Sequence, residues 1–319
     1  MFPYFCSMNI EDLHISIEEY SKELGFLDYG AAPCRKLSQE VERLKLSLSK
    51  SYNAKMHYLE RNLALREDPS LLMEGTKSIM CFLAPYKPES EQNKDLPLIA
   101  SYAYGSDYHK VLKDKLYLIV ERMKTDLPGL KASVFVDSAP VMEREWAKEA
   151  GLGFIGKNNF LISKKFGLHT FIGIILVDRT LKYSGTIVKS GCGKCKSCID
   201  ACPTGALTEP FCLDARRCIS YQTIESKDAH NQEEFVIDLQ NRIFGCDICL
   251  KACPWSKKGE ATWWSEFKPT FSEQHNKSVL SLTKDEWISL DDESFSHIFI
   301  NSPLKRAGIS KILDNLGVF

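Results

Sequence analysis

The sequence has almost no net charge and no long apolar segment. Its 319 residues include 41 lysines and arginines against 42 aspartates and glutamates, a formal charge of −1. Such a chain is no polycation, and its composition alone does not identify a nucleic-acid partner. No run approaches the roughly eighteen apolar residues that cross a membrane. Residues 1–8 also lack the basic stretch and apolar core of a secretory signal. These absences predict a soluble cytoplasmic protein, in which thiols stay reduced.

Cysteine, by contrast, is plentiful: the chain has 12, most of them in two runs between residues 192 and 253. The first run is Cys192-Gly-Lys-Cys195-Lys-Ser-Cys198-Ile-Asp-Ala-Cys202-Pro203, and the second is Cys246-Asp-Ile-Cys249-Leu-Lys-Ala-Cys253-Pro254. The first run has the spacing of two-cluster bacterial ferredoxins, in which three thiolates hold one 4Fe–4S cube and the fourth reaches the other. The runs therefore predict two 4Fe–4S clusters.

The second run lacks one ligand, because Ile243 stands where its leading cysteine should be, and Cys218 is the obvious replacement. Eight thiolates then form two complete sets. One set is Cys192, Cys195, Cys198 and Cys253, and the other is Cys202, Cys218, Cys246 and Cys249. Structural zinc also uses paired cysteines, but it does not require a proline after each run. Disulfides would need an oxidising compartment, of which the sequence gives no sign.

Apolar patterns outside the cysteine runs predict helices alternating with strands. They predict helices over 9–24, from Pro33 towards Met56, from Asp107 to Pro128 and over 140–150, and strands over 78–84, 133–136 and 167–177. Residues 61–69 are charged and are expected to form a loop. The alternation favours an α/β or α+β N-terminal part, and we predict an α+β protein overall. The predicted divisions are an α/β domain (1–180), a ferredoxin-like domain (181–258) and a short helical tail (259–319).

One glycine pattern matches a nucleotide-binding fingerprint in letters only. The segment Gly151-Leu-Gly153-Phe-Ile-Gly156-Lys157 has the G-x-G-x-x-G spacing. That fingerprint requires a strand before it and a helix after it, whereas here a predicted helix precedes and a strand-like run follows. The glycines instead indicate a tight turn or a close approach to a large flat ligand.

Several separate motifs together resemble the epoxyqueuosine reductase family. Besides the two cysteine runs, the segments that carry the resemblance are 137–144 (DSAPVMER), 150–158 (AGLGFIGKN), 202–207 (CPTGAL), 213–221 (LDARRCISY), 245–255 (GCDICLKACPW) and 302–308 (SPLKRAG). They occur in the family's order; the resemblance spans roughly residues 50–256 and recurs at 302–308. The resemblance implies an enzyme that uses cobalamin and two 4Fe–4S clusters to reduce epoxyqueuosine to queuosine at the wobble position of tRNA anticodons, the last step of queuosine biosynthesis.

The resemblance also implies a proton donor, Asp137, beside a low-valent cobalt that removes the epoxide oxygen. A carboxyl group donates a proton at neutral pH if burial or a neighbouring negative charge raises its pKa. We expect a raised pKa for Asp137, because it follows an apolar strand. The residues alone leave open a second role, in which Asp137 caps the helix that begins near Pro140.

Further contacts to cobalamin follow from the resemblance. They fall on Arg66, Asp137, Leu161, Ser163, Ile172 and Asp247. Taken singly, Leu161 and Ile172 fit core packing equally well, and Arg66 fits a solvated charge or an ion pair. A polar and aromatic group stands at a helix start, formed by Tyr104, Asp107, Tyr108 and His109. Its histidine is either a neighbour of cobalt or substrate, or a capping or core residue.

The implied macromolecular partner is a tRNA anticodon stem-loop, which needs a basic surface. The candidates by charge are Lys194, Lys196, Arg216, Arg217, Lys257, Lys258, Lys305 and Arg306. Phosphate contacts of this kind position RNA and weaken with salt. Electrons would come from an external low-potential donor such as a flavodoxin or ferredoxin, and we expect a monomer.

The chain departs from the family in three places. It stops before a full C-terminal helical-repeat segment, which helps longer members to hold tRNA. Cys212 is an extra cysteine near Cys218, and Asp314 stands where the family tends to have a basic residue. Two other functions stay open at this stage: an electron-transfer protein without substrate chemistry, and a corrinoid-dependent reductive dehalogenase, for which an export signal is expected.

Overall fold

The computed structural model describes residues 10–184, 186–226, 231–232 and 235–318. Within this part of the chain the helices are α1 (Ile10–Glu23), α2 (Ser38–Ser49), α3 (Leu63–Glu67), α4 (Tyr108–Asp126), α5 (Glu143–Glu149), α6 (Ser197–Asp200), α7 (Ile219–Ile224), α8 (Ile248–Lys251), α9 (Lys284–Ile288), α10 (Asp292–Ile298) and α11 (Gly308–Asn315). Short 3₁₀ turns separate several of them. Helices therefore occur on both sides of the cysteine runs and within them.

The strands are mostly short. They are β1 (Asp28–Pro33), β2 (Ser78–Pro85), β3 (Leu98–Ile99), β4 (Ala132–Phe135), β5 (Phe154–Ile155), β6 (Leu161–Ile162), β7 (Thr170–Val177), β8 (Leu207–Glu209), β9 (Cys212–Leu213), β10 (Asn231–Gln232), β11 (Phe235–Val236), β12 (Arg242–Phe244), β13 (Phe271–Ser272) and β14 (Lys277–Ser278). Only β2 and β7 reach eight residues, and these two form the middle of the main sheet.

The main sheet has the order β1-β2-β7-β4, and every pairing in it is antiparallel. All eight residues of β2 are buried, because the sheet is covered on both faces. An unbroken apolar run is what such a strand requires. The antiparallel pairing distinguishes between the two fold classes that the sequence left open: the fold is α+β, as predicted.

Two hydrophobic clusters cover the sheet. One face packs against α1 and α4 through Leu13, Leu116 and Ile119, and this cluster extends to Leu250 and Cys253 of the cysteine-rich part. The other face packs against α5 through side chains that include Trp146 and Ala147. The cysteine-rich part therefore shares a core with the sheet rather than lying beside it.

The C-terminal residues have a core of their own. Trp287, Phe299 and Ile312 from the last helices pack with Ile243 and Phe244 of β12, together with residues around β3. Within it, the buried Asn315 side chain donates hydrogen bonds to the carbonyl oxygens of Thr223 (3.0 Å) and Ile243 (2.7 Å). The residues predicted as a tail thus hold together two segments of the cysteine-rich part, α7 and β12.

Four local predictions differ from the structure. The strand β1 was not expected, α3 lies in residues predicted as a loop, α2 ends at Ser49 rather than near Met56, and α5 begins at Glu143 rather than near Pro140. The sequence of β1, Asp-Tyr-Gly-Ala-Ala-Pro, has no β-branched residue. It is a strand because β2 pairs with it along its whole length, and tertiary pairing overrides propensity in such cases.

The polar group at the start of α4 (Tyr104, Asp107, Tyr108 and His109) lies at the edge of the sheet where β2 and β4 end and β7 begins. The register pairs Pro85 at the end of β2 with Thr170 at the start of β7, and Phe135 at the end of β4 with Ile174. Asp137 follows β4 at this edge. In the described residues, every helix is too short or too polar to cross a lipid bilayer.

Candidate functional site

The seven cysteines of the two runs, together with Cys218, form two groups of four thiols. Cys253 interacts electrostatically with Cys192, Cys195 and Cys198. Cys249 interacts in the same way with Cys202, Cys218 and Cys246. These are the two sets that the spacing predicts, and their ligand roles stay a prediction. Cys212, in β9, is not among the principal charge partners of the second group.

The space between the thiols of the first group suits a cluster better than a single ion. Cys192, Cys195, Cys198 and Cys253 line a cavity of about 130 Å³. Four thiolates around zinc would close to about 2.3 Å from the metal and leave no such space. In the described parts of the chain, no three Cys, His, Asp or Glu side chains converge on a single-ion position. The grouping therefore favours cubes over zinc.

The thiols of the second group are all partly buried. Burial raises the pKa of Cys246 to about 11 and also raises the pKa of Cys249 and Cys218. A thiol with a raised pKa keeps its proton near neutral pH. Iron must therefore displace these protons, as metals do when they bind thiolates.

Asp137 stands at the sheet edge in an uncommon backbone conformation. Its φ is +49°, in the left-handed region that few non-glycine residues adopt, although aspartate does so more readily than most. It does not cap α5, whose N-cap is Met142, so the capping alternative is wrong. Its carboxylate instead accepts a hydrogen bond from the Tyr108 hydroxyl and lies 3.6 Å from His109 Nε2.

The pKa of Asp137 is lowered, not raised as expected. Burial alone would raise it, but the hydrogen bond from Tyr108 and the charges of the nearby His109 and Arg144 lower it further than burial raises it. The side chain is 61% exposed, so solvent also screens it. Asp137 is therefore an anion at neutral pH in this structure, and it must acquire a proton before it can act as an acid.

His109 is the nearest source of that proton. Burial lowers its pKa, but the hydrogen bond to Asp107 and the nearby Asp137 carboxylate outweigh burial, and the pKa of His109 is raised. Its Nδ1 lies 2.7 Å from Asp107 Oδ1. Asp107 also caps α4, as predicted, and Arg306 from the C-terminal part lies 3.3 Å from its other oxygen. The imidazole is therefore held between two carboxylates and tends to carry a proton.

Glu143 supports Asp137 from the opposite side. The backbone N–H of Asp137 donates to Glu143 Oε1 at 2.5 Å, and this bond fixes the strained residue. Burial, followed by repulsion from Asp137, raises the pKa of Glu143 to about 8. One carboxyl group of this pair is therefore ionised at neutral pH and the other is protonated, an arrangement typical of acid–base sites.

Glu143→Gln should make the stability of the fold less dependent on pH. The folded protein holds the Glu143 proton up to a pKa of about 8, whereas the ordinary value is 4.5. Between those values the folded state binds more protons, so stability falls as pH rises through this window. Glutamine mimics the protonated form, and we expect the loss of Tm from pH 5.5 to 8.5 to shrink by about 2 °C or more. Thermal melts of Glu19→Gln, which changes an exposed carboxylate on α1, are the control. Equal dependence of Tm on pH in the parent, Glu143→Gln and Glu19→Gln would contradict the raised pKa of Glu143.

The sequence of this chain matches known protein families and their members. Residues 66–138 match the family described as "Epoxyqueuosine reductase QueG", and residues 191–256 match the "4Fe-4S double cluster binding domain". The epoxyqueuosine reductase of Leadbetterella byssophila is 39% identical over 96% of this chain and 98% of its own length. That of Escherichia coli is 34% identical over 98% of this chain and 81% of its own. This chain belongs to the epoxyqueuosine reductase family.

Solved epoxyqueuosine reductases have the same fold. One was solved "with a tRNA-TYR epoxyqueuosine-modified tRNA stem loop"; it is 26% identical with a TM-score of 0.86 over 96% of this chain and 80% of that one. The reductase from Bacillus subtilis, with a TM-score of 0.85, has an aspartate-bearing catalytic loop "swung out of the active site". Family membership makes this chain an oxidoreductase with cobalamin and two 4Fe–4S clusters as its cofactors.

Two predicted cobalamin contacts face the region around Asp137. Arg66 Nε is buried and has no hydrogen-bond partner in the described structure, although its Nη2 reaches the Tyr58 carbonyl oxygen at 3.5 Å. Burial is the main cause that raises the pKa of Tyr58; the charge of Asp137 also raises it and the charge of Arg66 lowers it, so both groups lie near the Tyr58 hydroxyl. Since a buried guanidinium donor without a partner is costly, this epoxyqueuosine reductase offers a donor that suits a polar cofactor.

Asp247 borders the same region from the second thiol group. Its carboxylate accepts the Ser101 backbone N–H at 2.6 Å, and burial raises its pKa. The hydroxyl of the partly buried Tyr102 lies close enough to both Asp247 and Asp137 for their charges to raise its pKa, after the larger effect of burial. Ser101 Oγ and Thr170 Oγ1 are buried without partners in the described structure. This donor set fits a large group with many amide and phosphate oxygens, as cobalamin has.

The three remaining predicted contacts are mainly structural in the described chain. Leu161 is 4% exposed and belongs to the core under the sheet, and Ile172 packs against the same core while partly exposed. Ser163 is 2% exposed, and its backbone pairs with Gly167 in both directions at 2.9 Å. Their roles towards cobalamin stay predictions. The tight turn predicted for the glycine motif is present, with φ of +79° at Gly151.

The basic residues named as tRNA contacts divide into two kinds. Arg216 binds Asp214 through two nitrogens at 2.9 and 2.8 Å, and Arg306 belongs to the Asp107 network. Lys258 donates to a carbonyl oxygen and lies over the Trp255 ring. Lys194, Lys196, Lys257 and Lys305 are exposed, as are Lys258 and Arg306 in spite of these contacts, whereas Arg217 is partly buried.

Sequence reasoning missed several residues of this epoxyqueuosine reductase site. Glu143 lies inside the motif that carries the resemblance, yet nothing local marks it as the partner of the Asp137 backbone. Tyr108 was noticed with its neighbours, but its role as a donor to Asp137 depends on its ring stacking on Phe171, with centroids 4.4 Å apart and planes at 4°. Only the folded chain brings these groups together.

Proposed function

We propose that this chain reduces epoxyqueuosine to queuosine at the wobble position of tRNA, with cobalamin and two 4Fe–4S clusters. The observation that carries the proposal is the placement of Asp137. Its carboxylate accepts a hydrogen bond from Tyr108 and lies 3.6 Å from Nε2 of His109, whose pKa is raised, and buried donors without partners in the described structure suit a large cofactor. The relative solved with an epoxyqueuosine-modified stem loop supports tRNA as the partner.

The reaction must remove one oxygen from an epoxide. Conversion to the alkene consumes two electrons and two protons and releases one water molecule. Bound cobalamin supplies the strongly reducing metal centre that this deoxygenation needs. The two clusters pass the electrons one at a time, and the protein must deliver the protons and hold the modified base at the site.

The protons have a defined route in the side chains. Asp137 presents a carboxylate at the open side of the site and takes a proton from His109, whose Nε2 lies 3.6 Å away. Asp107 and Arg306 keep the imidazole in place from behind. Tyr108 and Glu143 hold the carboxylate and its backbone N–H in position. The proposed roles are proton donor for Asp137, proton supplier for His109 and positioning residue for Glu143.

The setting of the reaction follows from its substrate. As a tRNA-modifying enzyme, the protein would work in the cytoplasm and act as a monomer. Its electrons would come from an external low-potential carrier such as a flavodoxin or ferredoxin. Lys305 and Arg306 are exposed and line a groove that Asp107 also lines, and they are the candidates around the site that could contact RNA phosphate.

The direct test is mass analysis of nucleosides from tRNA. Epoxyqueuosine-bearing tRNA, incubated with the reconstituted protein and a chemical reductant, should lose epoxyqueuosine and gain queuosine in equal amounts. Omitting cobalamin during reconstitution is the control and should abolish conversion. A protein that retains eight irons and a corrinoid absorbance band through gel filtration, yet leaves the epoxide intact, would contradict the proposal.

A further inference from the structure

The first group of thiols reaches the protein surface, whereas the second lies towards the active site. Cys195 is exposed, while Cys198 and Cys253 are each 8% exposed. The second group includes Cys246, next to Asp247, which accepts the Ser101 backbone N–H at 2.6 Å; the ring of the following residue, Tyr102, lies 6.0 Å from the Tyr108 ring at the site. A cluster on the first group would therefore be the outer one, from which electrons enter.

The loop around Cys195 is fixed by contacts from a distant segment. Lys157 Nζ donates to the carbonyl oxygens of Gly193 (2.8 Å) and Cys195 (2.7 Å). The backbone N–H of Phe211 donates in turn to the Lys157 carbonyl oxygen at 3.0 Å. The cluster loop and the tip of the β8–β9 hairpin are thus joined through one lysine and form a continuous surface.

This surface has a basic rim and an exposed aromatic ring. Lys194 and Lys196 flank Cys195, are exposed, and form no ion pair with any residue that the structure describes. Phe211 is 52% exposed and is held at the hairpin tip with φ of +66°. Among the neighbouring acids, Glu209 is paired with Lys50 at 3.9 Å. We call Lys194, Cys195, Lys196 and Phe211 the cluster face.

We propose that the cluster face is the docking site of an acidic one-electron carrier protein. In each encounter the carrier is oxidised by one electron and the outer cluster is reduced by one, and two such encounters supply one turnover. Small charged interfaces are typical of redox partners, and complementary charge accelerates their association. The proposal rests on the proposed function only in that the clusters feed the reaction.

A protein carrier fits the cluster face better than RNA does. An exposed apolar ring in a basic rim matches the core-and-rim anatomy of protein interfaces. An electron donor must also approach a cluster closely, and Cys195 brings the outer cluster to the surface between the two lysines. The same lysines were candidates for RNA phosphates from their charge alone, and that alternative becomes an outcome of the test.

The test follows cluster reduction in the iron-loaded protein by anaerobic stopped-flow absorbance, with an acidic flavodoxin in its reduced form as the probe. The double variant Lys194→Glu/Lys196→Glu should lower the second-order rate by about tenfold or more at low salt. The deficit should shrink as salt rises, because screening weakens the attraction. Lys131→Glu/Lys284→Glu makes the same change of charge just before β4 and in the first turn of α9, and it should leave the rate within about twofold of the parent.

A second variant tests the contribution of the exposed aromatic ring to docking without changing the charge. Phe211→Asn removes the aromatic ring while tolerating the left-handed backbone, and it should weaken saturation by the flavodoxin several-fold at any salt. Phe271→Asn, at another exposed aromatic position (55%), is its control. Dithionite should still bleach both clusters to the same extent in every variant, which shows that the cluster sites are intact.

Two results would overturn the proposal. One is an unchanged, salt-independent rate in the lysine variant. The other is an unchanged rate combined with weaker binding of the tRNA stem-loop, which would assign the lysines to RNA. Because cluster bleaching requires neither RNA nor cobalamin, either result is distinguishable from a failure of the proposed reductase activity.

Discussion

Asp137→Asn is expected to lower the rate of queuosine formation by about 10²–10⁴-fold, the usual contribution of a positioned general acid. Asparagine keeps the size of the side chain and tolerates the left-handed backbone at this position. It cannot relay a proton from His109. The clusters and cobalamin should stay bound, so iron content and the corrinoid absorbance band should match the parent while mass analysis shows the epoxide persisting.

The pH profile gives an independent check on this role. The hydrogen bond from Tyr108 helps to lower the pKa of Asp137, so Tyr108→Phe should raise it. If the protonated carboxyl is the active form, the decline of activity with rising pH should then shift to higher pH. Asp292→Asn, in the exposed first turn of α10, should leave both rate and profile unchanged. Full turnover by Asp137→Asn would remove this residue from the mechanism.

Cys218→Ser is expected to remove the second cluster and abolish turnover. Eight irons are expected in the reconstituted parent from two 4Fe–4S cubes, and about four in this variant. The physical reason is that the second cysteine run is one ligand short, and Cys218 is the thiol that joins Cys202, Cys246 and Cys249. Iron analysis and low-temperature EPR of the reduced protein provide the measurement.

The matched control for this variant is the neighbouring extra cysteine. Cys212 lies in β9 close to Cys218 in sequence, but it is not among the principal charge partners of the second group. Cys212→Ser should therefore retain eight irons and full activity. Loss of four irons from Cys212→Ser, with none from Cys218→Ser, would exchange the two assignments.

The cysteine groups could be predicted from sequence because their ligands are mostly local. Spacings of two or three residues constrain where thiols point, so seven of the eight positions follow from the runs alone. Cys218 could be predicted because the second run is one cysteine short of its set of four ligands. The order of elements left two classes, α/β and α+β, for the N-terminal part. The antiparallel register of the sheet is what distinguishes between them.

The environment of Asp137 could not be predicted, because it is built from distant segments. Tyr108 lies 29 positions earlier in the chain, and Arg306 acts on Asp107 across 199 positions. The sequence indicated a carboxyl with a raised pKa at the end of an apolar strand, and burial does act in that direction. Hydrogen bonds from α4 reverse the result, and no local pattern reports them.

The bond between Asn315 and the carbonyl oxygen of Ile243 has a consequence for assembly in the cell. Ile243 precedes Cys246 by three residues, and the other acceptor, Thr223, follows Cys218 by five. A nascent polypeptide that has emerged as far as residue 260 already carries every thiol of both groups, yet it lacks the helix that ties these two arms together. Iron delivered during translation would meet an unfinished second pocket, so we expect the inner cluster to be inserted after synthesis has passed α11.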